Sequence, residues 1–167
     1  MNWLPNEDGM IWFVENVFNK ILDEKLNTKL YIVGKNPSNK IKSLENKNII
    51  VTGFVDDDRD YIAKGKVFIV PLRIGGGMRI KILNAMSMEK CIVSTSIGAE
   101  GINVVNDKEI IISNEIHELK NKIIYALEND DVNHQIGKNA RKKILDKYSW
   151  DAVTDKIVEE LYKLMNI

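Results

Sequence analysis

The feature that most constrains the fold is a regular alternation of short apolar runs with longer amphipathic stretches. Five runs rich in β-branched residues occupy positions 29–34, 48–54, 66–72, 91–95 and 109–113. Continuous apolar runs of this length are typical of strands buried on both faces, as in a parallel sheet. Because helix-like segments separate the runs, the pattern predicts an α/β fold with a parallel sheet and helices on both of its faces.

The segments between the runs carry helix signals. The stretch Pro5-Asn6-Glu7-Asp8 predicts a helix start, with Asn6 as the capping residue and acids in the first turn. Further helices are expected over positions 38–44, from the aspartates at 56–58 to about 65, and from a glycine-rich loop to about 89. The first helix is expected to place apolar side chains on one face, namely Ile11, Val14, Phe18 and Ile21.

The C-terminal part of the chain predicts helix throughout. Positions 116–165 are expected to be helical, with breaks near 130–131 and 148–149. Ser149 is expected to cap the last helix. That helix carries an apolar stripe whose first expected role is packing, formed by Trp150, Val153, Ile157, Leu161 and Leu164.

Charge and composition exclude several classes of function. Lysine plus arginine and aspartate plus glutamate number 24 each, so no nucleic-acid or anionic membrane partner is expected. Cys91 is the one cysteine, which excludes an intramolecular disulfide framework and a cysteine zinc cluster and predicts a small buried hydrophobe. His117 and His134 lack metal-ligand spacing and are expected on the surface. No apolar stretch reaches the roughly 20 residues that span a bilayer. A single cysteine suits a reducing compartment, and a cytoplasmic location is expected.

The stretch PLRIGGGMRIKILNAM, positions 71–86, predicts a binding loop. Ligands of parallel α/β sheets bind beyond the carboxyl ends of the strands, where this loop begins. Gly75, Gly76 and Gly77 allow close approach of a ligand, and the start of the following helix attracts anions. Arg79 and Lys81 add positive charge. The alternative is a flexible turn with two solvated cations, since the pattern is neither a Walker A motif nor GxGxxG.

Several stretches together resemble the C-terminal, donor-binding domain of glycosyltransferase family 4 (group 1), retaining enzymes of GT-B fold. They are MNWLPNEDG, LYIVG, VTGFVDD, VFIVPLRIGGGMRIKILNAM, CIVSTSIGAEGI and the closing YSW, and they cover essentially the whole chain. The stretch with the glycine triplet is similar to the sequences of a bacterial branch of this family, whose members often build surface polysaccharides. The resemblance implies a Rossmann-like parallel sheet flanked by helices, the C-terminal half of a GT-B enzyme, with a helical C-terminus.

The resemblance also implies roles for individual residues. A sugar nucleotide, UDP- or GDP-linked, would lie along the carboxyl edge of the sheet, with its base at Phe54 and Val55 and its ribose at Asn84. Gly98 and Glu100 would lie near the same cleft. No metal and no cofactor is implied, because helix dipole and cations stabilise the departing diphosphate. The diphosphate would be held by the glycine loop and the cations after it, namely Gly75, Gly76, Gly77, Met78, Arg79 and Lys81.

Two departures from the family leave an alternative open. Asn84 stands where many members carry a glutamate that accepts hydrogen bonds from the ribose, because this chain has KILNAM for the commoner KILEAM. The MNWLPNEDG stretch also lacks the arginine and lysine with which many members grip the phosphates. The alternative is a degenerate binding or scaffold module of the same fold. A nucleotide-sugar epimerase is a weaker option, because its carboxylate and histidine equipment is not evident.

The domain expectation follows from the same resemblance. Residues 1–167 are expected to form one donor-binding domain, and an N-terminal domain outside this chain would hold the acceptor, a sugar or lipid-linked glycan. The whole enzyme would be a hexosyltransferase-type glycosyltransferase, cytoplasmic or peripheral at the inner face of the membrane through the rest of the protein. The isolated domain is expected to be inactive. The last helix would then direct part of its apolar surface toward the missing domain.

Overall fold

The parallel α/β architecture is present, but its strands form two hydrogen-bonded sheets. The computed structural model describes residues 3–165. β1 (Leu30–Val33) pairs with β2 (Ile49–Gly53), and β3 (Val67–Val70), β4 (Cys91–Ser94) and β5 (Ile111–Ile112) form the second sheet in that order. All three pairings are parallel. The predicted α/β fold with parallel strands flanked by helices is confirmed. Within the described residues β1 and β3 do not pair, so the strands divide into two sheets.

The first helical stretch starts earlier than predicted. It comprises α1 (Leu4–Phe13), a π-helical segment (Val14–Phe18) and α2 (Asn19–Glu24). Trp3, with extended backbone angles, is the capping residue, so the assignment of the cap to Asn6 is wrong. The physical reason is Pro5, whose missing N–H is tolerated in the first helical turn, so the helix extends back past it.

The short helices between the strands follow the predicted positions. α3 (Asn39–Lys42) is capped by Ser38, whose hydroxyl accepts from the backbone N–H of Ile41 at 3.3 Å. α4 (Arg59–Lys64) and α5 (Ile80–Ser87) begin after the aspartates and after the glycine loop. Asp57 is held by the Arg59 side chain and backbone N–H, which lower the pKa of the carboxyl to about 2. Asp57 therefore makes the hydrogen bond expected of an aspartate at the start of a helix, here α4.

The C-terminal part is three helices, as predicted. They are α6 (Ile116–Glu128), α7 (Asp130–Lys147) and α8 (Trp150–Met165). The hydroxyl of Ser149 accepts from the N–H of Ala152 at 3.2 Å, which confirms the predicted cap. The expectation that the α8 stripe packs within this chain is wrong: no described residue of α8 is buried, and Trp150 is 88% exposed. Helical periodicity predicts an apolar face but not what covers it.

One core cluster connects the two sheets. The first helical stretch contributes Phe13 and Phe18 to a cluster that contains Ile32 of β1 and also Cys91 of β4. Side chains of the first helical stretch and of both sheets therefore share one core. Burial raises the pKa of the Cys91 thiol to about 12, which fits the predicted buried hydrophobe.

Three predictions concern the exposure of the histidines, metal-binding groups and membrane-spanning helices. His117 and His134 are exposed. Within residues 3–165, no group of three or more histidine, cysteine, aspartate or glutamate side chains has the arrangement of a metal site. No helix in this range combines the length and the apolar character needed to cross a bilayer.

Candidate functional site

The candidate site is the loop that joins β3 to α5 at the carboxyl edge of the second sheet. Gly75 and Gly77 have φ values of +109° and +85°, which a residue with a side chain rarely adopts. Gly101, from the loop after β4, lies against this loop, because a Cβ there would lie 3.2 Å from the backbone nitrogen of Met78. The glycines thus let the chain turn sharply before the N-terminus of α5.

Arg79 is the best-defined element of this site. The residue is only 7% exposed, and its Nη1 donates to the carbonyl of Gly76 at 2.6 Å. Its Nε and Nη2 are buried and make no hydrogen bond within the described part of the chain. The guanidinium also lies 5.8 Å from the centre of the Trp3 ring, in a cation–π arrangement. A buried charged donor with two unused nitrogens is prepared to bind an anion.

Gly75 lies directly against this guanidinium. A Cβ added to Gly75 would lie 2.9 Å from Nη2 of Arg79. Any side chain at this position would therefore crowd the unused nitrogen as well as strain the backbone. The glycine leaves room for the guanidinium in its buried position.

Lys81 lies near Arg79, and a hydrogen bond to α1 holds its side chain. Its Nζ donates to Oδ1 of Asn6 on α1 at 2.8 Å. Burial lowers the pKa of Lys81, and the nearby positive charge of Arg79 lowers it further. Two cations held this close repel each other, so an anion between them would relieve both burial and repulsion.

The other predicted site residues differ in their position relative to the glycine loop. Glu100 is exposed, and its carboxylate faces the loop, since a Cβ on Gly76 would lie 3.9 Å from Oε2. Gly98 is buried against β3 and β4, where a Cβ would lie 2.3 Å from the Ser94 hydroxyl, so its structural role is close packing. Asn84 is exposed on α5.

The residues predicted to hold a base follow β2 at the same edge. Phe54 is 71% exposed directly after the strand, and Val55 is half-buried. Both lie on the far side of β1 from the glycine loop, because β2 pairs with β1 in the first sheet. A ligand that reached from the loop to these residues would therefore lie across the carboxyl ends of β3 and β1.

Sequence reasoning missed two members of the site, Trp3 and Asn6. Trp3 covers Arg79, and Asn6 holds Lys81. Both come from the start of α1, which the close approach of Gly9 to the Pro71 carbonyl brings to the carboxyl end of β3. A glycine one turn into an otherwise regular helix was the available signal for this contact, since it marks close backbone packing.

Comparison with known proteins identifies the family of the chain. The family described as glycosyl transferases group 1 matches residues 1–129. The chain belongs to this family. Among curated relatives of this group 1 chain, a protein of Klebsiella pneumoniae, described as an uncharacterized 44.6 kDa protein in the cps region, is 30% identical over 95% of the chain. A trehalose synthase of Thermococcus litoralis is 26% identical over 59% of it.

Solved structures show the same fold. TarM superposes with a TM-score of 0.78 over 95% of this chain and 33% of its own, at 20% identity. Anabaena Alr3699/HepE, solved with UDP-glucose, superposes at 0.68 over 89% of this chain and 46% of its own, at 18% identity. This group 1 chain has the C-terminal GT-B architecture. It spans 43% of the length of the Klebsiella relative.

Proposed function

We propose that this domain binds the nucleotide-sugar donor of a retaining glycosyltransferase. The observation that carries the proposal is Arg79 beside the glycine loop, whose buried Nε and Nη2 have no hydrogen-bond partner among residues 3–165. A diphosphate matches this site because its oxygens accept charged hydrogen bonds from Arg79 and lie at the N-terminus of α5. A neighbour of the same fold, Anabaena Alr3699/HepE, was solved with UDP-glucose, which supports a nucleotide sugar as the ligand.

The chemistry of transfer follows from where charge develops. When the bond between the sugar and the diphosphate breaks, negative charge accumulates on the leaving diphosphate. Arg79, Lys81 and the free N–H groups at the start of α5 stabilise that charge without a metal ion. Glu100, whose carboxylate faces the loop, is proposed to accept a hydrogen bond from a sugar hydroxyl.

The acceptor is proposed as well. We assign it as a sugar or lipid-linked glycan held by a further domain, in the synthesis of a surface polysaccharide. The relative in the cps region of Klebsiella pneumoniae supports this context. The isolated chain is expected to show no turnover with UDP- or GDP-sugars, and measurable transfer to an added acceptor by these 167 residues would contradict that expectation.

An NMR titration of the chain with UDP, GDP, ADP and CDP tests the proposed function. Amide shifts confined to positions 75–81 and 54–55 with one nucleotide would support a donor site and identify its base. Absence of shifts at millimolar nucleotide would overturn donor binding by this chain and favour the scaffold alternative. Inorganic pyrophosphate serves as the control, because it reports on the Arg79 centre without a base.

Asn84 is the residue that favours the scaffold alternative, because it is exposed and lacks a carboxylate. Replacing Asn84 with glutamate is expected to strengthen binding of the responding nucleotide about five- to tenfold, since charged hydrogen bonds are stronger than neutral ones. Asn84→Gln is the matched control, because it has the glutamate length without its charge. Isothermal titration calorimetry of the three proteins gives the comparison, and equal affinities in all three would count against a ribose contact at this position.

The lowered pKa of Lys81 predicts a pH dependence of binding. As the pH rises through the folded pKa, the ammonium loses its proton and its attraction for the diphosphate. Affinity is therefore expected to decrease as the pH rises, and the decrease is expected at pH values below the ordinary lysine pKa of about 10.4. Lys81→Arg is expected to flatten this profile, because the guanidinium stays charged. Affinity measured by calorimetry from neutral to alkaline pH tests this, and identical profiles for both proteins would show that Lys81 is not the titrating group.

A further inference from the structure

Two loops meet at the carboxyl edge of the second sheet, the glycine loop after β3 and the loop after β4, residues 95–101. A Cβ on Gly101 would lie 3.2 Å from the backbone nitrogen of Met78, so the two loops are in contact. Glu100, whose carboxylate faces the glycine loop, precedes this contact by one residue. The directions in which the loops leave their strands therefore decide where this carboxylate lies. Thr95 joins the starts of both loops.

The side chain of Thr95 continues the connection between β3 and β4 where the ladder ends. The backbone N–H of Thr95 donates to the carbonyl of Val70 at 3.3 Å, one residue beyond the last paired residue of β4. Its hydroxyl donates to the carbonyl of Leu72, which lies beyond the end of β3 at the start of the glycine loop. The hydroxyl thus holds the glycine loop to β4 at a position that the backbone ladder no longer reaches.

The same hydroxyl also holds the start of the loop after β4. It accepts from the N–H of Gly98 at 3.0 Å, and the carbonyl of Thr95 accepts from the N–H of Ala99 at 3.1 Å. This is the arrangement of a threonine that caps a helical turn. A hydroxyl has one proton to donate and lone pairs that accept, so one side chain binds both loops at once.

Thr95 is 4% exposed, and its hydroxyl proton is already bonded, so it does not itself reach a ligand. We propose that Thr95 is a positioning residue of the site. Its hydroxyl fixes the directions in which the two loops leave the sheet, and it thereby places Arg79 and Glu100 around one ligand. The inference rests on the proposed function for the identity of that ligand, a diphosphate.

Thr95→Val tests the role of the hydroxyl, because valine has a similar shape but neither donates nor accepts a hydrogen bond. Inorganic pyrophosphate is the probe, since it needs no base, and its affinity is measured by NMR titration. Thr95→Val is expected to weaken binding about tenfold, because both loops lose the bond that orients them. Thr95→Ser keeps the hydroxyl and is expected to retain the affinity within about twofold.

Ser94 provides the matched control. Its hydroxyl is buried one residue earlier and donates to the carbonyls of Val70 and Thr95 at 3.0 and 2.9 Å. The Val70 carbonyl also accepts from the ladder, so it stays bonded when this hydroxyl is removed. Ser94→Ala is therefore expected to change pyrophosphate affinity less than about twofold. An equal loss in Ser94→Ala and Thr95→Val would show general loosening of this edge and would overturn the proposal, as would equal affinities of Thr95→Val and Thr95→Ser.

NMR spectra without ligand separate this proposal from the proposed function. The signals of the Arg79 Nε–H and of the Met78 amide are expected to move in Thr95→Val and to stay in place in Thr95→Ser and Ser94→Ala. Unchanged signals in Thr95→Val would show that the hydroxyl does not position the loops. If the original chain binds no pyrophosphate, donor binding fails, and these spectra alone decide the role of Thr95.

A second variant covers the case in which Thr95→Val does not fold. Thr95→Cys has nearly the shape of Thr95→Ser, but sulfur is only a weak donor and acceptor. Pyrophosphate affinity of the cysteine variant is expected to be at least about threefold weaker than that of the serine variant. Equal affinities of these two variants would contradict a role for the hydrogen bonds of the hydroxyl.

Discussion

Replacing Arg79 with methionine is expected to weaken nucleoside diphosphate binding about 30- to 150-fold, the equivalent of ~2–3 kcal/mol of charged hydrogen bonds. The unliganded chain is expected to be at least as stable as the original. The two effects differ in direction because Arg79 is buried and its Nε and Nη2 have no partner in the part of the chain that the structure describes. Replacing a buried charge by an apolar side chain of similar length is often neutral or stabilising. Calorimetric affinity and thermal melting of both proteins measure the two effects.

Arg73, at the other end of the same loop, provides the matched control. Its guanidinium is exposed, bonds both carboxylate oxygens of Asp8 at 2.6 and 3.0 Å, and lies 5.6 Å from the centre of the Trp12 ring. Arg73→Met is therefore expected to change affinity less than about twofold, since an exposed charge that is already paired with Asp8 is screened. Equal losses for both arginines would indicate a general charge effect. Unchanged affinity of the Arg79→Met variant would show that the diphosphate does not bind at Arg79.

The parts of the fold that the sequence predicts are those specified locally. Each predicted strand contains an observed one, because continuous β-branched runs bounded by turn residues are a local signal. The cap at Ser149 and the start of α5 after the glycine triplet were likewise predictable from neighbouring residues. Arg79 and Lys81 could be named as cations of the loop for the same reason, since they immediately follow the glycines.

The parts that the sequence did not predict depend on contacts between distant residues. Burial of Arg79 under Trp3 and the bond from Lys81 to Asn6 join positions more than 70 residues apart. The separation of the strands into two sheets is also a matter of which strands become neighbours, which periodicity does not specify. The exposed stripe of α8 shows the same limit, because an amphipathic pattern predicts a face without identifying what packs on it.

Replacing Gly137 with alanine is expected to destabilise the chain by about 2–3 kcal/mol, even though alanine is the better helix former by about 1 kcal/mol. Gly137 is buried inside α7, and a Cβ there would lie 2.0 Å from the carbonyl oxygen of Glu89 and 2.7 Å from its carbon. The obstacle is backbone that no side-chain rotation can move. Glu89 itself has a φ of +57°, so the turn after α5 has little freedom to withdraw. The melting temperature is expected to fall by about 5–10 °C.

Gly65 is the control that separates crowding from the loss of a glycine. Its φ is −70°, and a Cβ there would lie 3.5 Å from the nearest atom, the carbonyl oxygen of Tyr61. Gly65→Ala is therefore expected to be neutral or to stabilise by up to about 1 kcal/mol, through a less flexible unfolded chain. A melting temperature of Gly137→Ala at or above the original would show that α7 and the turn can separate. In that case α7 would not be what fixes the end of α5, and with it the helix whose N-terminus forms the candidate anion site.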